Sequence, residues 1–150
     1  MDFNTLTLTR DIACTPERLF HLLTDRTARE TWGAPGEGIV VQIDSFDMRP
    51  GGREVSRCGP AEAPEFKVTT DFHIVDAPDR LIGTETLDFG EGPVSVSLIT
   101  QEIAETQGGS RLTVTLQIAS LIGPDITADY KEGWNGGLDN LTRLAEAPAH

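Results

Sequence analysis

The chain has 150 residues, with 24 Asp and Glu against 12 Lys and Arg and a formal net charge of −12 at pH 7. That length fits one domain able to bury a core without staples. A surface this acidic repels phosphate backbones and anionic lipid, so neither a nucleic acid nor a membrane is an expected partner.

Residues 3–13 open as a half-buried strand, because Thr and Leu alternate at period two; no charged leader and apolar block precede it, so it does not read as a signal peptide. Thr15-Pro16-Glu17 then starts a helix: Thr15 caps, Pro16 suits the first helical position and Glu17 meets the positive helix end. Leu19, Phe20, Leu22 and Leu23 give it an apolar face, and Asp25 caps a second short helix that Gly33-Ala34-Pro35-Gly36 ends near Trp32.

From Ile39 to Ala119 the pattern is strands and tight turns. Arg49-Pro50-Gly51-Gly52-Arg53, Asp76-Ala77-Pro78-Asp79, Gly90-Glu91-Gly92-Pro93 and Gln107-Gly108-Gly109-Ser110 are the turns. Between them, Phe66, Val68, Thr70, Phe72 and Ile74 are placed on one face of a strand. Leu81, Gly83, Glu85, Leu87 and Phe89 are placed on one face of the next, then Val94, Val96 and Leu98, then Leu112, Val114, Leu116 and Ile118. Closely spaced strands with Gly/Pro turns predict a meandering antiparallel sheet. Gly123-Pro124-Asp125 opens a last, long helix whose stripe is Ile126, Tyr130, Trp134, Leu138 and Leu141, fraying near Ala147-Pro148. Gly133, Gly136 and Gly137 lie near that stripe, which predicts a close approach to the sheet or room beside the helix.

Five stretches carry a resemblance to a known family. They are Ile12 to Phe20, Thr24-Asp25 through Trp32-Gly33-Ala34-Pro35, Asp47-Met48-Arg49-Pro50-Gly51-Gly52-Arg53, Val75 to Leu81, and Gly133-Trp134 through Leu138-Asp139-Asn140-Leu141. Together they resemble the chaperone-ATPase-activator homologue branch of the START-like, Bet v-like superfamily, which is grouped with polyketide cyclases. One departure is Thr31-Trp32, where the family often has two Trp. The resemblance implies an α+β helix-grip fold: a curved antiparallel sheet of six to seven strands around a long C-terminal helix, with two short helices between the first two strands. It also implies a cavity between sheet and helix that holds small apolar molecules in many members; some members are enzymes and others co-chaperones.

On that expectation the lining is Trp32, Phe46, Met48, Phe66, Val68, Phe72, Leu87, Val96, Leu98, Leu116, Tyr130 and Trp134. Acid–base chemistry needs a titratable group in an apolar cavity, and Glu85 is the candidate, although a bulge turning it to solvent is the favoured expectation. Arg57 and Thr100 are further candidates for inward orientation. Arg49 and Arg53, His21 and His73 read as surface residues, and His150 as a disordered terminus. Cys14 and Cys58 fit no metal or redox spacing and read as reduced structural thiols in a cytoplasmic protein. The Asn140-Leu141-Thr142 sequon is read as chance.

No metal, cofactor, nucleophile motif or phosphate loop is expected. Three functions follow in order: binding of a small hydrophobic molecule; a cyclase-, dehydratase- or hydrolase-like enzyme using Glu85; and a chaperone ATPase-activator-like module. The last is expected least, because a lone domain offers no second chaperone-binding region. A homodimer through an edge strand or an exposed helix face stays open.

Overall fold

Period-two alternation puts the first strand into a sheet with one wet face: β1 (Asp2–Ile12) turns Leu8 and Ile12 into the core and leaves Thr5, Thr7 and Thr9 exposed. The computed structural model describes residues 1–34, 36–121 and 126–148. In α1 (Pro16–Thr24) the Thr15 hydroxyl accepts from Arg18 N at 3.2 Å. In α2 (Arg26–Trp32) the Asp25 carboxylate accepts from Ala28 N at 2.9 Å, so both predicted caps satisfy helix N–H groups that lack carbonyl partners.

Six strands follow: β2 (Ile39–Phe46), β3 (Arg53–Pro60), β4 (Phe66–Asp76), β5 (Arg80–Asp88), β6 (Pro93–Thr106) and β7 (Gly109–Ser120). They form one antiparallel seven-stranded sheet in the order β1-β7-β6-β5-β4-β3-β2. The helix α3 (Thr127–Glu146) covers its inner face and buries Tyr130, Leu138 and Leu141 of the predicted stripe together with Ala145, while Ile126 and Trp134 are half-buried. The helix start expected at Gly123-Pro124-Asp125, the predicted Pro35 breaker and His150 lie outside the described residues. Leu19, Leu112, Leu116, Leu138 and Leu141 are fully buried, and each contributes about 2 kcal/mol of transfer free energy. The far end of α3 is tied down by polar contacts. Arg18 donates to the carbonyls of Leu144 and Ala145, both at 3.1 Å, and the Glu146 carboxylate accepts from Ala13 N at 2.9 Å.

Several expectations about faces need correction. In β6 the inward residues are Ser95, Ser97, Ile99 and Ile103, so Val94, Val96 and Leu98 lie on the convex face, and Leu98 is 39% exposed. Thr100 shares that convex face, and Arg57 points outward to pair with Asp44 at 2.8 Å. In β4 the register passes from Phe72↔Gly83 to Ile74↔Ile82, making His73 an extra residue; after it Val75 packs inward and Ile74 turns out. Phe89 lies past the end of β5, exposed, with its ring 5.3 Å from that of Phe66. Of the helix glycines, a Cβ on Gly137 would make ordinary contact with Trp32 at 3.6 Å, and one on Gly133 would meet nothing. No unusually close approach to the sheet is built on either glycine.

Candidate functional site

Strand parity sets the floor of the site. Leu81, Gly83, Glu85 and Leu87 alternate inward along β5, so the Glu85 carboxylate points at α3 and not to solvent. No bulge intervenes between Gly83 and Leu87 in either flanking register, so the outward orientation expected for this residue does not occur. The Tyr130 hydroxyl donates to Glu85 Oε1 at 3.4 Å and also lies 2.8 Å from Ser95 Oγ. Ser97 lies beside this pair, and Gln101 Oε1 is buried without a hydrogen-bond partner.

The α2 helix supplies the cation. Arg29 pairs with Glu54, a β3 carboxylate that is only 1% exposed, and its guanidinium lies 5.6 Å from the Trp32 ring centroid. The Trp32 ring is fixed by its own Nε1 donating to Leu22 O at 2.8 Å. Asn140 of α3 donates to Ala34 O at 2.6 Å, which seats the helix on the end of α2; the sequon asparagine thus has a structural occupation.

Between these groups lies a cavity of about 40 Å³, walled by Leu23, Arg29, Trp32, Phe72, Glu85, Gln101 and Trp134 among others. That is room for a few waters. Burial pushes the Glu85 carboxyl up to about 7; Arg29 pulls it back, Glu54 raises it, and the Tyr130 hydrogen bond lowers it. Burial, then the Glu85 charge, raises the Tyr130 phenol well above its ordinary range, so the phenol stays neutral. Burial also lifts the Cys58 thiol to about 11, making it an inert structural thiol.

The predicted lining is only partly gathered here. Trp32, Phe72 and Trp134 wall the cavity. Tyr130 reaches Glu85 from above, and Leu87 and Met48 pack against the neighbouring core. Val68 and Leu116 are buried on the same inner face, and Phe66 and Phe46 share it by register, Phe46 opposite Glu54. Val96 and Leu98 are on the other side of the sheet and line nothing here. Sequence reading missed Arg29, Glu54, Ser97 and Gln101. For Ser97 and Gln101 a signal exists: they share parity with Ile99 and Ile103, which mark the inner face of β6.

A larger depression of about 350 Å³ lies open to solvent between the β1–α1 corner and the β6–β7 hairpin, beside Cys14 and Glu105. Burial raises the Cys14 thiol above its ordinary value, so this depression offers no activated nucleophile. No group of His, Cys, Asp and Glu among the described residues is arranged to hold a metal ion. No helix among them is long and apolar enough to cross a membrane.

The family described as "Activator of Hsp90 ATPase homolog 1-like protein" matches residues 13–146. The chain belongs to this family. Among solved structures, protein Mll3558 from Rhizobium loti is 33% identical, with a TM-score of 0.83 over 94% of this chain and 96% of that one. Protein CV1439 from Chromobacterium violaceum has a TM-score of 0.85 at 21% identity, covering 97% of this chain and 99% of its own. The AHSA1-like protein from Aeromonas hydrophila has a TM-score of 0.75 at 22% identity, covering 98% and 99%. No curated protein matches the chain. The seven-stranded sheet and C-terminal helix are therefore the helix-grip α+β fold of the family, as the sequence resemblance implied.

Proposed function

We propose that the chain binds a small molecule between the sheet and α3, with a polar group of that molecule meeting Glu85. The observation carrying this reading is an inward carboxylate beside unfilled space that two tryptophans wall. Buried polar groups without partners are costly, and a ligand that satisfies Gln101 Oε1 recovers that cost. The space of about 40 Å³ accepts a head group only. A longer body extends past Trp134, beside the open volume at Gly133. The ligand is thus mixed in character, more polar at its head than the wholly apolar lining expected from sequence. Native mass spectrometry of freshly purified protein, followed by extraction, tests this directly. A bound species released by denaturation supports it. A clean unliganded mass, with no shift of melting temperature across a library of small amphipathic compounds, overturns it.

A second reading has its own observation. A carboxyl group near pH 7, hydrogen-bonded to a neutral phenol, has the properties of a general acid or base in a cyclase-, dehydratase- or hydrolase-like reaction. Turnover lost in Glu85→Gln, with folding intact by circular dichroism, supports this reading, and turnover retained overturns it. Stimulation of a chaperone ATPase ranks third. It follows from the family's description alone, since the site described lies inside the domain and not on its surface.

A further inference from the structure

The charges around the cavity do not balance. Facing Glu85 are Arg29 from α2 and Glu54 from β3. The remaining groups around it are neutral: Thr70 on β4, Ser97 opposite it on β6, Gln101, the Tyr130 phenol from α3, the Cys58 thiol and Leu23 of α1. Arg29 is engaged by Glu54, which is fully buried and has first claim on it. An ionised Glu85, itself half-buried, is therefore one carboxylate in excess at this site. Across the same small space Gln101 presents an amide oxygen with no donor, and the walls include Trp32, Trp134 and Phe72. An uncompensated carboxylate, an orphan acceptor and aromatic faces all attract the same chemistry, a cation carrying N–H donors.

We infer that the cavity receives the ammonium head of a protonated amine, held by the Glu85 carboxylate and the Gln101 amide oxygen, with its alkyl chain running along Trp134. This inference rests on the binding reading above and specifies its ligand class. Both residues line the cavity, Glu85 opposite Ser97 and Gln101 four positions further along β6, opposite Leu81. Binding below neutral pH displaces the proton of Glu85 into solvent, while the amine keeps its own.

The test compares n-butylamine, n-butanol and butyrate, which share a chain and differ in head group. Each is titrated at pH 6 and pH 8 by tryptophan fluorescence and by chemical-shift changes. At pH 8 butylamine is expected to bind at least tenfold more tightly than butanol. Its advantage falls about tenfold at pH 6, following the ionised fraction of a carboxyl group near 7. Glu85→Gln, checked for folding by circular dichroism, loses the amine preference. Gln101→Leu weakens butylamine several-fold more than it weakens butanol. Equal binding of amine and alcohol, preference for butyrate, or an amine preference surviving in Glu85→Gln each overturns the amine inference while leaving the cavity reading standing. Silence from all three probes at millimolar concentration overturns both.

Discussion

The Tyr130 hydroxyl of α3 stands 3.4 Å from Glu85 Oε1 on β5, so the long helix meets the floor of the sheet through a titratable group. The same hydroxyl lies 2.8 Å from Ser95 Oγ, which is fully buried. Tyr130→Phe therefore leaves the Ser95 hydroxyl without its phenol partner. The expected loss is about 1–2 kcal/mol in urea unfolding, typical of a buried hydrogen bond with one partner removed. The phenol also holds the Glu85 carboxyl down, so its midpoint should move up in the variant. Carbon-13 titration of the Glu85 side chain reads this, and a midpoint that stays or falls would refute the contact.

Glu85 itself makes stability depend on pH in the direction opposite to an ion-paired carboxylate. Its folded value of about 7 lies above the ordinary 4.5, so the native state holds the proton more tightly than the unfolded chain. Its contribution is fully present below about pH 4.5 and is lost as pH rises through 7, to a total of about 3 kcal/mol. Glu85→Gln should remove that slope. The difference in unfolding free energy between the two proteins, measured from pH 4 to 8, should grow in favour of the variant and flatten above 7. A difference independent of pH would mean that the carboxyl is solvated.

Arg29 and Glu54 form the pair that the site cannot lose by halves. Glu54 is 1% exposed, so Arg29→Met strands a buried charge and should cost about 3–5 kcal/mol. Adding Glu54→Gln removes the stranded charge and should restore most of that loss. Thermal melts of the two single variants and the double variant decide it; additive losses would show that the pair does not couple.

Gly133 lies inside α3 and faces open volume, so Ala there gains helix propensity without a clash. Gly133→Ala should stabilise the fold by about 1 kcal/mol. Gly83→Ala should do the opposite, because its Cβ would come within 3.0 Å of Asp71 O and 3.1 Å of Thr70 Cγ2 in the packed sheet. Chemical denaturation of both tests the contrast, and equal effects would contradict the packing around Gly83.

The order of elements, both short helices with their caps and the stripe of α3 were legible because each is written in local spacing. The faces of the strands were less so. Alternation in β6 separates Val94, Val96 and Leu98 from Ser95, Ser97 and Ile99, but it does not say which set faces in. Hydrophobicity at the start of the strand points the wrong way, since Ser95 is turned inward against Tyr130. The strand's far end, with Ile103 inside and Glu102 outside, carries the right answer. In β4 the extra residue His73 reversed the parity of Ile74, and nothing in Phe66 to Ile74 announces a bulge. The Arg29–Glu54 pair joins residues on elements that only the fold brings together, so no spacing in the chain pointed to it.

The register of β1 on β7, with Asp2 opposite Ser120, has a consequence for synthesis. Strands β2 to β7 each pair with their sequence neighbour and can assemble in order as they leave the ribosome. β1 cannot; it waits for the last strand, a delay on the order of ten seconds at ordinary translation speeds. During that interval Leu8, Ile12, Leu19 and Leu23, all buried in the finished protein, have no β7 or α3 to cover them. Leu8, Ile12, Leu19 and Leu23 thus complete their packing only after β7 and α3 have been made.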